Sequence, residues 1–537
     1  MGAPPAPSTL HPTPTPPQDA PASGVHRPRV LTRRRALQGA ALGIAAATGL
    51  SGCTTAQANS TAMLAHGATG GSLKDSLDPH FPVTIPDIAR VRQLYEPLLR
   101  YDTQMKVQPG LAESIEHNAD GTIWTIRLRQ DVTFHNGKSV RATDVEASLE
   151  RMLDPKNPAP FLSTVAPIAN LKSSRVLDER TYQLHLTQPY AILDAMLASY
   201  PLGIIPADFD PRNPVGTGPF RADVFVPGQR SVFTRYDDYW DTRATFDALT
   251  IIDFTDDAAK VNALLAGQVQ SIDNLPGYLS EAVDSQGATA LVSQTGAWIP
   301  FTMRVDVQPF SDVRVRQAMR LIADRHQMVE QALNGFGRVA NDLHSPFDPS
   351  YIGEQLPQRE QDIDQAKALL RQAGQSDLRI ELTTSTAVGA GGVESASLFV
   401  QQAAKAGVKV RLRVLDGSIF YGDQYLSWPF AQDFWETRLY LPQVAACGLK
   451  GSPYNETHWN DPQFIELVTT ANRTMDARRR TMLLQDAQRI EHERGGYIVW
   501  AFKNQVDAYS NSVTGLQPAR QLPVSDYRFN LVKPVQS

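Results

Sequence analysis

The histidine, serine and cysteine residues that could carry out catalysis form no recognisable catalytic motif. The 11 histidines include no His-x-x-x-His pair, so the sequence contains no compact metal motif. No Gly-x-Ser-x-Gly segment would present an activated serine. The histidine nearest to Cys447 in sequence is His458, and the surrounding residues favour a buried, inert thiol over a nucleophile. The sequence therefore predicts no catalytic residue, no metal and no cofactor.

Two glycine-rich segments could bind phosphate through their backbone amides, but both depart from the known motifs. Gly216-Thr217-Gly218 lacks the third glycine of a dinucleotide-binding loop, and no Lys-Ser or Lys-Thr follows it. We interpret it as a tight turn. Gly389-Ala390-Gly391-Gly392 precedes a predicted helix and could present amides to an anion, although a mobile loop is the more frequent meaning of such a run.

Cys53 ends a segment that has the layout of an export signal. A basic block is followed by the weakly apolar run 36–50 and by Leu50-Ser51-Gly52-Cys53. That run is shorter than the ~20 residues needed to cross a membrane as a helix. The tetrapeptide resembles the bacterial lipobox, and the segment around Arg33 and Arg34 resembles the twin-arginine motif, with Ala36 in place of the usual Phe. We predict a signal over residues 1–53, with Arg33 and Arg34 directing export and Cys53 carrying a lipid.

The charge is distributed unevenly between this signal and the rest of the chain. Of the net charge of −5, residues 1–53 contribute +4 and the remaining residues −9. An acidic mature chain argues against binding to nucleic acid, whose phosphates attract basic surfaces. The 537 residues, 42% of them hydrophobic, are enough for two to four domains with full cores.

The mature chain mixes strand patterns with helix patterns. Residues 124–129 and 181–186 alternate between apolar and polar residues, which predicts half-buried strands. Helices are predicted after Asp256, Ser311, Asp364 and Asp461, each a residue type that can cap a helix N-terminus. These patterns predict an α/β or α+β protein of at least two lobes, preceded by a flexible tether over residues 54–68.

Several short segments, in order along the chain, are similar to one known family. They are Ser76-Leu77-Asp78-Pro79, Leu94-Tyr95-Glu96-Pro97-Leu98, Pro109–Ser114, Asp120–Trp124, Val132–Gly137, Ala142–Val145, Gly216–Phe220, Pro309–Ala318 and Ala366–Gly374. In their order and spacing they resemble the solute-binding proteins of peptide/nickel-type (family 5) ABC importers. The resemblance covers about residues 70–530.

The resemblance implies a two-lobed, α/β periplasmic-binding-protein-like fold (type II, similar to the large cluster C proteins) with an extra subdomain in the first lobe. The first lobe would contain residues 69–97, 180–300 and 498–537, the inserted subdomain residues 98–179, and the second lobe residues 301–497. The chain would cross between the lobes near residues 298–304 and near Trp500, and these crossings would form the hinge. His135 would lie in the insert and have a structural role.

The resemblance also implies that residues 430–442 line the ligand cleft. Peptide-binding relatives carry an Asp three residues after the Trp of this segment, where it pairs with the peptide ammonium group. Here that position holds Arg438, which favours carboxylate or phosphate groups. Asp433 or Glu436 would then be left to bind an ammonium group. The predicted ligand-binding residues are Asp433, Trp435, Arg438 and Tyr440, together with the crossing residues Trp298, Phe301 and Arg304.

The sequence thus predicts a monomeric, lipid-anchored extracytoplasmic receptor that delivers its ligand to ABC permease subunits. An oligopeptide is the first candidate ligand, followed by an anionic small molecule and a metal chelate. The alternative from a different class is an exported hydrolase, or another enzyme, on a similar scaffold. Twin-arginine export lends this alternative some support, because that route carries folded and often cofactor-bearing proteins.

Overall fold

The computed structural model describes residues 62–535 except Val83 and Ser163, so Cys53, Arg33 and Arg34 lie outside the described residues. Helices and strands are interspersed along the described chain, as in a mixed α/β fold. Its helices include none long and apolar enough to cross a membrane. The helices are Ile85–Leu94, Ala142–Met152, Leu193–Leu197, Asp257–Leu265, Ser280–Asp284, Val313–Ile322, Arg325–Ala332, Ile363–Gln372, Gly392–Lys405, Gly417–Phe420, Tyr440–Cys447, Pro462–Arg473, Ala477–Arg494 and the left-handed turn Pro523–Asp526.

The largest sheet has eight strands and collects segments from both ends of the described chain. Its central strand Met63–Thr69 runs parallel to Ala248–Phe254 and to Ser271–Ile272. In spatial order the strands are Ala288–Trp298, Ala501–Ser510, Ser271–Ile272, Met63–Thr69, Ala248–Phe254, Arg230–Arg235 and Phe220–Val226, with Gly337–Val339 also paired to Ala501–Ser510.

Two further sheets have cores of their own. The five-stranded sheet has the order Lys409–Leu415, Arg379–Ser385, Phe430–Gln432, Phe301–Met303 and Tyr497–Ile498. The four-stranded sheet has the order Ala112–His117, Ile123–Leu128, Thr181–His185 and Arg175–Asp178. The remaining strands of the described chain form two short antiparallel pairs. They are Leu99–Tyr101 with Val107–Pro109, and Val513–Thr514 with Lys533–Pro534.

The chain passes between the eight-stranded and five-stranded sheets at two neighbouring places. It leaves the first at Trp298 and enters the second at Phe301, and it returns between Ile498 and Ala501. The indole N–H of Trp500 donates to the carbonyl of Ile299 at 2.6 Å, which ties the two crossings together. The chain also reaches the first sheet at Gly337–Val339, which pairs with the start of Ala501–Ser510. All the links between the two sheets therefore lie close together, as a hinge requires.

The buried apolar side chains separate into cores that match these sheets. One core draws on residues 299–501 and surrounds the five-stranded sheet. A second, over residues 98–204, covers the four-stranded sheet. Two more pack on the eight-stranded sheet and combine residues 64–95, 205–291 and 506–532. Each of the three large sheets thus has its own apolar core.

Two of the predicted boundaries are placed differently by the structure. Residues 63–68, included in the predicted tether, form the central strand of the largest sheet, and Leu64 and Ala68 are fully buried there. The predicted end of the insert at residue 179 falls between Arg175–Asp178 and Thr181–His185, which pair in one sheet. Because the core around that sheet extends to Ile204, we place the end of the insert near that residue.

Helix starts follow the predicted capping chemistry in two cases out of four. Asp256 and Asp461 accept hydrogen bonds from the first turns of their helices, as predicted. The predictions of Ser311 and Asp364 as caps are wrong, because Asp312 and Asp362 perform that role instead. In each case a neighbouring aspartate, a strong acceptor for exposed helix amides, replaces the predicted residue. The predicted strands appear as Ile123–Leu128 and Thr181–His185.

Candidate ligand-binding cleft

A cavity of about 340 Å³ lies between the eight-stranded sheet, the insert and the segment that follows the five-stranded sheet. Its walls come from residues 80–105 and 521–527 near the eight-stranded sheet, residues 160–201 of the insert and residues 436–454 beyond the five-stranded sheet. A volume near the lower end of the usual range for ligand pockets suits a small molecule. Six aromatic side chains line it: Phe81, Tyr101, Phe161, Tyr200, Tyr454 and Tyr527.

Two charged side chains of opposite sign, Glu436 and Arg438, stand in the cavity wall. Their segment continues the strand Phe430–Gln432 and pairs with the other crossing, since Trp435 and Trp298 exchange backbone hydrogen bonds of 2.9 Å. Side chains alternate along this extended segment, so Trp435 and Thr437 are buried while Glu436 is exposed to the cavity. The strand geometry thus directs the charged residues toward a ligand.

The Arg438 guanidinium is held by two aromatic rings, one from the insert and one from its own segment. Its central carbon lies 5.2 Å from the centroid of the Phe161 ring and 5.2 Å from that of Trp435. Burial lowers the pKa of the Arg438 guanidinium, because few neighbouring groups solvate its charge. Among the described residues, none forms an ion pair or hydrogen bond with this side chain. Its N–H donors are therefore available to an anionic ligand.

The Glu436 carboxylate is the complementary charge at this end of the cavity. Among the described residues it has no ion-pair partner, and its field acts on Arg438, Tyr200 and Tyr527. A carboxylate in such a position can accept hydrogen bonds from an ammonium group. Together, Glu436 and Arg438 suit a ligand that carries both charges.

Trp435 and Tyr440 take part in a stack of four rings behind the cavity wall. Trp435 stacks on Trp298 with ring centroids 6.2 Å apart, Trp298 on His344 at 5.3 Å, and His344 on Tyr440 at 5.0 Å. The Trp435 indole N–H donates to Glu456 at 3.1 Å. Neither Trp435 nor Tyr440 lines the cavity. Trp435 contacts the cavity indirectly, through Arg438.

Asp433 lies in a buried polar cluster and not in the cavity wall. It accepts hydrogen bonds from the hydroxyl groups of Tyr421 at 3.1 Å and Tyr425 at 2.7 Å. Burial raises the pKa of Asp433, and burial together with the Asp433 charge raises that of nearby Glu456. Because its acceptor positions are already occupied by protein donors, Asp433 is not placed to bind a ligand ammonium group.

The three predicted crossing residues also lie away from the cavity. Trp298 is buried in a small core at the crossing, and Phe301 is buried in the core of the five-stranded sheet. Arg304 pairs with Asp306 at 2.7 Å and donates to the carbonyl of Ser427. Of the predicted ligand-binding residues, the structure places Arg438 alone in the cavity wall.

The cavity residues that sequence reasoning missed come mainly from the insert and from the C-terminal segment. Phe161, Tyr200 and Tyr527 are far from residues 430–442 in sequence, and isolated aromatic residues of this kind do not differ from core residues in pattern. Cys447 is buried, and burial raises the pKa of its thiol, in agreement with the interpretation of an inert thiol. The described residues contain no cluster of His, Cys, Asp and Glu that could hold a metal ion.

A cavity that is lined from the eight-stranded sheet, the insert and the segment after the five-stranded sheet, beside two neighbouring crossings, suits a protein that binds a small ligand. The family model for bacterial extracellular solute-binding proteins, family 5 Middle, matches residues 106–440, and the chain belongs to this family. The prediction of an extracytoplasmic solute-binding protein is thereby confirmed. Because this is a family of binding proteins, the alternative of an exported enzyme no longer stands.

Similar proteins cover most of the chain. The Di/tripeptide-binding protein 2 of Pseudomonas aeruginosa is 29% identical over 474 residues, which are 80% of this chain and 86% of that protein. The Glutathione-binding protein GsiB of Salmonella typhimurium is 24% identical over 467 residues, 83% of this chain and 90% of that protein. The structure of the periplasmic binding protein DppA from Helicobacter pylori in complex with peptide STSA has a TM-score of 0.76 at 21% identity, covering 88% of this chain and 98% of that chain. This last likeness confirms the predicted fold.

Proposed function

We propose that this protein captures a short peptide, or a peptide-like zwitterion, in the cavity and delivers it to the permease subunits of an ABC importer. The observation that carries the proposal is the pair Glu436 and Arg438, which offers both charges to a ligand in one apolar cavity. The relative that binds di- and tripeptides supports the same ligand class. A cavity of about 340 Å³ favours ligands of a few residues.

Each end of such a ligand has a partner in the cavity wall. Arg438 binds the carboxylate through paired in-plane N–H donors, and Glu436 accepts hydrogen bonds from the ammonium group. The aromatic walls contact the apolar part of the ligand. In this proposal Glu436 takes the ammonium-binding role that the sequence left open between Asp433 and Glu436.

An anionic small molecule is the second candidate ligand, and Arg438 favours it. A ligand with a carboxylate but no ammonium group would use Arg438 and leave Glu436 without a partner, at an electrostatic cost. A metal chelate remains the third candidate, with the metal held by the ligand's own donors. Native mass spectrometry of the protein purified from its own host would identify the bound molecule and separate the three.

Closure of two lobes around the ligand is part of the proposal. The eight-stranded body with the insert forms the first lobe, and the body around the five-stranded sheet forms the second. The ligand contacts both, so it stabilises the closed form by its differential affinity for that form. We further propose a monomer that is exported through Arg33 and Arg34 and anchored to the membrane by a lipid on Cys53, as the sequence of residues 32–53 supports.

Replacing Arg438 tests this function. Arg438→Gln removes the cation while keeping a polar side chain, and it should weaken binding of Gly-Leu at least 30-fold, because a buried carboxylate then loses its charged partner. Arg304→Gln is the matched control, since this arginine already pairs with Asp306 outside the cavity. Isothermal titration calorimetry measures both. Equal affinities of the two variants would exclude Arg438 from the site.

A further inference from the structure

At the Arg438 end of the cavity, the insert contributes the ring of Phe161. Its ring centroid lies 5.2 Å from the central guanidinium carbon of Arg438, in contact range for a cation–π interaction. Arg438 lies on the segment that follows the strand Phe430–Gln432 of the five-stranded sheet, whereas Phe161 packs against the core of the insert. The contact therefore spans the cleft and requires the two sides to be close together.

The insert holds this ring in a defined place. Phe161 occupies the short helical turn Pro160–Leu162, whose last residue is fully buried in the core of the insert. The amide of Leu162 donates to the carbonyl of Ala159 at 2.8 Å. The Phe161 ring also packs edge-to-face on Tyr200, with centroids 5.7 Å apart and an interplanar angle of 67°. A ring fixed in this way can in turn fix the guanidinium.

Aromatic contacts leave the N–H donors of the Arg438 guanidinium open. Rings cover the flat faces of a guanidinium, whereas its N–H donors point outward in its plane. Phe161 and Trp435 each contact Arg438, and its donors have no protein acceptor among the described residues. A planar carboxylate matches two parallel donors of this kind, whereas a carboxamide offers a single uncharged acceptor.

We propose that Phe161 is a specificity-determining residue, which positions Arg438 across the cleft so that the closed form selects ligands with a free carboxylate group. The inference rests on the proposed function, because it concerns the same cavity and names the ligand group that the cavity distinguishes. The inference adds that selection for a carboxylate depends on Phe161 of the insert as well as on the Arg438 cation, and therefore on closure of the cleft.

A second aromatic–arginine pair at the same cavity provides a control. Phe81 lines the cavity and lies 5.4 Å from the central guanidinium carbon of Arg151. The Arg151 guanidinium, however, donates to the carboxylate of Asp78 at 3.0 Å, so its charge already has a partner. The same substitution at Phe81 therefore removes an aromatic ring from the cavity wall beside an arginine whose charge is already paired.

The test compares Phe161→Leu with Phe81→Leu in the full-length protein. Calorimetry gives the affinity of each for two probe pairs: Gly-Leu with glycyl-leucinamide, and 3-phenylpropionate with its amide. In the wild-type protein the acid should bind more tightly than the amide. Phe161→Leu should reduce this acid-to-amide ratio about tenfold, in keeping with the strength of a partly buried cation–π contact, and Phe81→Leu should leave the ratio unchanged.

The ratio separates a positioning role from a structural one. A purely structural effect of Phe161→Leu would weaken the acid and the amide equally, leave the ratio unchanged and overturn the inference. An equal change of the ratio in both variants would also overturn it. If the wild-type protein prefers the acid only with the 3-phenylpropionate pair and binds no dipeptide, the peptide function fails while the inference stands. A wild-type protein that prefers the acid in neither pair overturns the inference.

Discussion

The His135 side chain is held between two backbone groups of the turn Gly216–Gly218. Its Nδ1 atom accepts the amide N–H of Gly216 at 3.3 Å, and its Nε2 atom donates to the carbonyl of Gly218 at 3.0 Å. This arrangement fits the neutral ring, because a proton on Nδ1 would oppose the Gly216 donor. Burial lowers the pKa of His135 to about 4, and the nearby charge of Arg221 acts in the same direction.

This geometry makes His135 a source of acid sensitivity. The unfolded chain takes up a proton below pH ~6.5, whereas the folded protein resists it until about pH 4, so stability falls as the pH decreases through this window. His135→Gln should therefore reduce the loss in unfolding free energy between pH 6.5 and pH 4 by about 2 kcal/mol relative to the wild-type protein. Urea unfolding at the two pH values measures the difference.

The control for this prediction is His117→Gln, an exposed histidine at the end of the strand Ala112–His117. Other buried histidines, such as His80 and His492, contribute a similar pH dependence in both variants, so only the difference from the wild-type protein counts. If His135→Gln shows the same loss of stability on acidification as His117→Gln, the assignment of a neutral, hydrogen-bonded His135 is incorrect.

The connection between the helices Pro462–Arg473 and Ala477–Arg494 contacts the insert at a distance from the cavity. The carbonyl of Asn472 accepts the amide of Ala191 at 2.7 Å, and Arg473 donates to the side chain of Gln188 at 2.6 Å. Met475 packs against the core of the insert beside Gly121, where an added Cβ atom would lie 2.3 Å from its sulfur atom. This connection thus joins the helix pair to the insert through contacts outside the cavity wall.

Met475→Ala should loosen this contact. The loss of a half-buried thioether side chain costs about 1 kcal/mol, so the turn that contains Gly121 should open about five times more often. Hydrogen–deuterium exchange of residues 118–123 in the ligand-free protein measures this. Met482→Ala, at an exposed position on the following helix, is the control. Equal exchange in the two variants would show that Met475 does not hold the lobes together.

The elements that could be predicted are those whose cause is local. Asp461 followed by Pro462 defines a helix start through neighbouring atoms alone, and the alternation in residues 124–129 depends on one face of one strand. Where several acceptors compete, as with Ser311 and Asp312, the sequence did not decide between them. Arg438 was found through its place in a motif, but the ring of Phe161 reaches it from a distant part of the chain, and no local pattern encodes that contact.

The same limit explains why Trp435 and Tyr440, predicted to bind the ligand, lie behind the cavity wall. Trp435 and Tyr440 are near Arg438 in sequence, yet strand alternation and the start of the helix Tyr440–Cys447 turn them into the ring stack behind the wall. Tyr440 donates to Glu491 at 2.8 Å, a partner 51 residues away. Side-chain direction at the end of a strand depends on such distant partners, so it could not be read from residues 430–442 alone.

At the scale of the whole molecule, the proposed lipid anchor predicts that attachment to the membrane depends on Cys53. Cys53→Ser should move the protein from the membrane fraction to the soluble fraction, because serine cannot carry the thioether-linked lipid on which the anchoring proposal rests. Fractionation followed by mass spectrometry of the N-terminal peptide measures both location and acylation. Cys447→Ser is the control, since that thiol is buried within the fold. Unchanged membrane attachment of Cys53→Ser would refute the lipid anchor.

The chain enters and leaves the body around the five-stranded sheet on adjacent strands, with Phe301 paired directly to Ile498. Residues 301–498 can therefore be regarded as a cassette whose two ends are about one strand spacing apart. Exchange of this cassette between related genes would transfer Glu436 and Arg438 together and leave Phe161 with the host protein. Recombination at two neighbouring points would thus replace one half of ligand recognition while conserving the other, a route to new specificity that needs no stepwise change of individual residues.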